Sequence, residues 1–102
     1  MSTADKLKEA YVAKADAQAQ LVAAQHSRMI TRSAVKESIR TDYANQGAKI
    51  TESRLDDLAH VHKDYIEACT DESQATKKAV EMEGAVRAAE AEHEIELVKM
   101  KS

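Results

Sequence analysis

Apolar residues recur at steps of three and four along most of the chain. From Leu58 onward one heptad series reads Leu58, Val61, Tyr65, Ala68, Glu72, Ala75, Ala79, Met82, Val86, Ala89, His93, Glu96, Met100, and ten of its thirteen positions are apolar. A mean step of 3.5 residues predicts a coiled-coil-like helix with one covered seam. The first half of the chain is thinner. Leu7, Tyr11, Leu21 and Val22 stand among alanines, with Ala10, Ala17 and Ala24 repeating at seven, and Met29, Val35, Ile39 and Tyr43 carry the later part. Small residues at that spacing let a neighbouring helix approach closely.

Between these halves lies Asn45-Gln46-Gly47-Ala48-Lys49-Ile50-Thr51. Gly47 suits the left-handed position after a helix C-terminus. Thr51 suits an N-cap, with Glu52 in the first turn behind it. Ile50 and Leu55 fall at N′ and N4, the two ends of a hydrophobic staple. At the start of the chain Ser2 or Thr3 can cap a helix that carries Asp5 in its first turn, and Met1 to Ala4 are expected to fray. The pattern therefore predicts an all-α fold, a long antiparallel helical hairpin in a single domain over residues 1–102. Arm one runs over about 4–44, the turn over 45–51 and arm two over about 52–100. The polar, cap-like run Thr70-Asp71-Glu72-Ser73 offers a place for a kink or second break, and Thr31 and Ser33 offer an interruption in arm one, for which a continuous helix is the preferred reading.

Composition strengthens this reading. The chain has no proline, and Ala, Glu, Lys, Leu and Arg make 50 of its 102 residues. A share near half is the mark of long helices and coiled coils. Nineteen of the residues counted as apolar are alanines, and Leu, Ile and Val total only 17. At roughly 25 cal/mol per Å² a lone hairpin of such residues gains little from burial. Stability is expected to come from assembly into a helical homo-oligomer through the seam Leu58, Val61, Tyr65, Ala68, Ala75, Ala79, Met82, Val86 and Ala89. The single cysteine, Cys69, excludes an internal disulfide. No apolar run approaches the ~20 residues that span a bilayer. The opening residues lack a signal-peptide core. The expectation is a soluble protein with no membrane partner, in the cytoplasm of the cell that makes it.

Charge divides unevenly. Residues 28–54 hold Arg28, Arg32, Lys36, Arg40, Lys49 and Arg54 against three acids, whereas residues 55–102 hold six bases against twelve acids. Arg28, Arg32, Lys36 and Arg40 are four apart, a step that rotates only about 40° round a helix. They form a slowly winding basic stripe. One reading is a row matched to the phosphates of a single strand, with salt-dependent binding. The other is a solvated face paired with Glu37 and with acids of the other arm. Stacking aromatics near the stripe are limited to Tyr43.

Catalytic chemistry is not evident, and no enzyme or cofactor is expected. There is no Gly-rich phosphate loop, nucleophile elbow or Cys cluster. His60 and His62 are two apart, on nearly opposite sides of a helix, and cannot share a metal from one arm. His62 and Cys69 share a face but lie two turns apart, and His62 reads as a seam-edge residue. Glu90-Ala91-Glu92-His93 contains Glu-x-x-His, half of a ferritin-like di-iron site, with Asp5 or Glu9 facing it.

In arm two, Lys49-Ile50-Thr51-Glu52, Asp64-Tyr65-Ile66-Glu67-Ala68, Lys78-Ala79-Val80-Glu81 and Gly84-Ala85-Val86-Arg87-Ala88 follow one another. Over residues 49–98 this texture resembles small helical proteins of tailed phages, similar to UvsY-type recombination mediators. The resemblance implies a helical oligomer that binds single-stranded DNA non-specifically and helps to load a recombinase. Arg28, Arg32, Lys36, Arg40, Lys49 and Arg54 would then grip phosphates. The competing expectation is a structural or interaction protein with a protein partner and no nucleic acid: a scaffold, an inhibitor of a host factor, or a secreted hairpin of the ESAT-6-like kind. The Trp-x-Gly turn of many such hairpins is absent here.

Overall fold

A computed structural model describes residues 2–101. Among the described residues the structure is all-helical, with α1 over Thr3–Asn45, α2 over Glu52–His60 and α3 over Lys63–Lys101. The fraying expected at the start falls partly on Met1, outside the described residues. Ser2 caps α1, its hydroxyl accepting the Asp5 N–H at 3.1 Å. Proline-free and alanine-rich, α1 runs through Thr31 and Ser33 without a break.

The turn is built as its residues predict. Gly47 takes φ +73°. The Gly47 N–H bonds the Ala44 carbonyl and the Ala48 N–H bonds the Tyr43 carbonyl, at 3.0 and 2.9 Å. This pair of bonds is a Schellman motif, which satisfies carbonyls that the helix end leaves open. Thr51 then caps α2, its Oγ1 accepting the Arg54 N–H at 3.2 Å.

Arm two differs from the expectation. It is interrupted at Val61 and His62, and the Thr70–Ser73 run lies inside continuous helix. There Thr70 turns its hydroxyl back onto the Ile66 carbonyl at 3.0 Å. The cause of the real break is a change of phase. α2 buries Leu55 and Ala59. An uninterrupted helix would carry that face on to His62, Ile66 and Cys69. The residues actually buried next are Tyr65 and Ala68, while Ile66 is exposed. Two non-helical residues re-phase the chain, and Val61, assigned to the seam by the heptad, becomes 69% exposed. His62 substitutes for a conventional cap: its Nδ1 accepts the Asp64 N–H at 3.1 Å.

The contacts gather into two compact units. One joins the chain's start as far as Val22 to the residues from Gln74 onward, and the other is Ala23–Ser73. In the first, the start of α1 lies antiparallel to the end of α3. Thr3 Oγ1 meets His93 Nδ1 at 2.8 Å, and the Tyr11 hydroxyl donates to Glu90 at 2.8 Å. Lys6 approaches Glu92 at 3.5 Å. Of the described apolar side chains here, only Ala17 and Val86 are buried. In the second unit the later part of α1 packs with α2 and the start of α3, burying Val35, Leu55, Ala59, Tyr65 and Ala68. No described polar or charged side chain is buried in either.

Along α1 the covered positions include Thr3, Leu7, Ala10, Lys14, Ala17, Leu21, Ala24, Arg28, Thr31 and Val35. Along α3 they include Tyr65, Ala68, Glu72, Ala75, Ala79, Met82, Val86, Ala89, His93 and Glu96. Each helix thus presents a seam at 3.5-residue spacing to its own chain.

Candidate functional site

The basic stripe is built into the unit Ala23–Ser73. Because its four residues step by four, they drift along the border of the covered face of α1. Glu52 and Asp56 on α2 also stand four apart and run in the opposite direction, so the two rows mesh. Arg40 Nη2 lies 2.6 Å from Glu52 Oε1, with Glu37 at 3.4 Å from Nη1. Lys36 Nζ lies 2.7 Å from Asp56 and 3.4 Å from Glu52. Arg32 Nη2 lies 3.1 Å from Asp56. Arg28 completes the row by pairing with Glu72 on α3. Every cation of the stripe therefore has a carboxylate beside it.

The electrostatics agree with this geometry. Arg40 and Lys36 hold the Glu52 carboxyl below the ordinary carboxylate range. Lys36, with Arg32 and Arg40 behind it, does the same for Asp56. The Arg28 guanidinium is held further above its usual value by Glu72 and by the Tyr65 hydroxyl, and Arg40 likewise by Glu52 and Glu37. Of the six predicted phosphate-binding residues, only Lys49 and Arg54 have no ion-pair partner among the described residues. They lie at the turn, where Arg54 gives its backbone N–H to the cap.

The residues predicted to form an oligomer seam are covered by their own chain, with one exception. Tyr65, Ala68 and Val86 are buried, Leu58, Ala75, Ala79, Met82 and Ala89 are half-buried, and only Val61 stands exposed. The residues of the half di-iron motif have other roles: Glu90 accepts the Tyr11 hydroxyl and His93 meets Thr3. Among the described residues no three His, Cys, Asp or Glu side chains converge to hold a metal. Cys69 is a free, half-buried thiol.

A feature the heptad reading overlooked lies on the side of this unit away from the ladder. An open groove of about 460 Å³ runs between α1 and the start of α3. Ala34, Val35 and Ala68 contribute its apolar surface and Ile30, 70% exposed, stands at its lip. The α3 wall carries Asp64, Glu67 and Asp71. Their spacing of three and four puts them on one helix face. Among the described residues Asp64 has only the His62 ring, 4.0 Å away, as an ion-pair partner, and no ion pair holds Glu67 or Asp71. The sequence signal was available: Ile30 lies off the α1 seam, and three acids share one stripe on α3. Among the described helices none is long and apolar enough to cross a membrane. No protein-family model, no curated protein and no solved structure matches the chain.

Proposed function

We propose that this is a non-enzymatic helical interaction protein whose Ala23–Ser73 unit holds an amphipathic, lysine- or arginine-bearing helix of a protein partner. The observation that carries the reading is the groove itself. Its apolar surface and exposed Ile30 offer hydrocarbon to a helix lying in it, and Asp64, Glu67 and Asp71 line one wall with carboxylates that no Lys or Arg among the described residues pairs. A helix in such a groove docks through apolar anchors at i, i+3, i+4 and i+7. The charged wall sets orientation and on-rate more than affinity.

The test is a titration of isotope-labelled protein with a lysine-bearing amphipathic helical peptide. Shifts at Ile30, Ala34 and Ala68 that vanish in Glu67→Lys/Asp71→Lys are expected. Absence of shifts at high peptide concentration would refute the reading.

A second reading, a mediator that binds single-stranded DNA and assists a recombinase, keeps one supporting observation. Lys49 and Arg54 have no ion-pair partner among the described residues, and the Arg32 and Arg40 pairs are solvent-accessible, a class that is weakly held and easily exchanged. Phosphates would have to displace Glu52, Asp56 and Glu72 to reach the stripe. Anisotropy of a labelled oligonucleotide at two salt concentrations separates the readings, since phosphate binding falls steeply with salt.

A further inference from the structure

The face of α3 opposite its seam carries a second repeat. Gly84, Ala88, Ala91, Ile95 and Val98 step by four, three, four and three, and all five are exposed. The intrachain seam does not use this face.

Gly84 is the informative member. In a helix interior glycine costs about 1 kcal/mol relative to alanine. Nothing within the chain requires it: its φ is not positive, and a Cβ built there meets no atom within 4 Å. Its open surroundings leave room for a close approach from outside the chain.

The repeat is self-complementary. Two copies of α3 laid antiparallel, with the two-fold axis between Ala88 and Ala91, bring each Ile95 over the Gly84 of the other copy. Ala88 then meets Ala91 on both sides of the axis. The same register sets Arg87 of one copy beside Glu94 of the other, twice. Among the described residues Arg87 is engaged only by Glu83 one turn away, at 3.1 Å with side chains 77% and 49% exposed. That pair is easily exchanged. Glu94 has no ion-pair partner among the described residues. An isologous contact requires this kind of patch, in which residue i meets j and j meets i.

The unit also has reason to be covered. Its described residues bury only Ala17 and Val86, while Tyr11, Val12, Val22, Val80, Ile95 and Leu97 stand exposed. A unit with so little interior gains from covering its outer face.

We infer that the outer face of α3, centred on Gly84, Ala88, Ala91 and Ile95, is a two-fold self-association surface whose occupant is the same face of a second copy. The site is separate from the groove of the other unit, and its test does not involve that groove's ligand.

The experiment is sedimentation of the full chain from low micromolar to submillimolar concentration, with circular dichroism as a control for folding. The wild type is expected to approach twice the monomer mass. Gly84→Leu replaces glycine with a stronger helix former in open space, so helicity should hold or rise while the association constant falls at least tenfold. Arg87→Glu should weaken association, and Arg87→Glu/Glu94→Arg should restore it. A wild type that stays monomeric throughout, an oligomer indifferent to Gly84→Leu, or a double charge variant no better than the single one would each overturn the proposal.

Discussion

Lys36 sits astride two carboxylates, 2.7 Å from Asp56 and 3.4 Å from Glu52, with its side chain only 17% exposed. It is the most sheltered rung of the ladder that joins α1 to α2. The helix carrying those carboxylates is nine residues long. Helices of that length are marginal alone in water, so α2 depends on what α1 offers it.

That dependence predicts an acid response. Glu52 and Asp56 both titrate below the ordinary carboxylate range in the folded chain, because Arg40 and Lys36 stabilise their charged forms. For depressed carboxyls the stabilisation is present above the unfolded-state value, near 4, and is lost as pH falls through the folded-state values. The urea midpoint should be flat from neutrality to about pH 5 and then drop. Glu52→Gln/Asp56→Asn should flatten the drop. A midpoint with the same acid limb in that variant would show that other carboxylates control it.

Leu55 is the most completely buried large side chain described, at 0% exposure. Leu55→Ala should lower unfolding free energy by about 3 kcal/mol, the usual range for a core leucine. Exposed Leu97→Ala should cost much less. Urea denaturation of both checks the difference.

Gly47 has a left-handed backbone conformation and open surroundings. Gly47→Ala should therefore cost about 1 kcal/mol, by backbone strain alone. Thr51→Ala, which removes the hydroxyl from the Arg54 N–H, should cost a similar amount. Asn at position 47 should recover part of the glycine loss, because Asn tolerates this conformation better than Ala. Thermal melts of the three variants give the ranking.

The ladder also makes a prediction about nucleic acid. If Arg32, Lys36 and Arg40 are occupied by Glu52 and Asp56, removing those charges should expose the stripe. Glu52→Gln/Asp56→Asn should then bind a labelled oligonucleotide more tightly than the wild type at low salt, with a steeper salt dependence. Equal binding by both would mean that the stripe never meets phosphate.

These outcomes rest on features that were unequally legible in the sequence. The Gly47 turn and the Thr51 cap were readable because each depends on a local rule: a left-handed residue after a helix, and a hydroxyl three residues before a free N–H. The seam of α3 from Tyr65 to Glu96 was readable from its period. The break at Val61 was not, because nothing at His60-Val61-His62 is a strong breaker. It follows from a mismatch between two buried faces, Leu55/Ala59 and Tyr65/Ala68, and that becomes visible only when both meet α1. The stripe was legible as a stripe. Its partners were not, since Glu52 and Asp56 come into reach only through the antiparallel return of the chain. The groove was missed because Ile30 was not assigned to any face.

The uneven interior sets an order of opening. The unit Ala23–Ser73 has Leu55, Tyr65 and Val35 to hold it closed, while the other has Ala17 and Val86. Backbone amides near Ala10 and Ala89 should therefore exchange with solvent sooner than those near Val35 and Ala68, well before global unfolding. A protease that samples such openings would cut first where the interior is thinnest, and would leave the turn and its ladder of ion pairs as the last fragment to be lost.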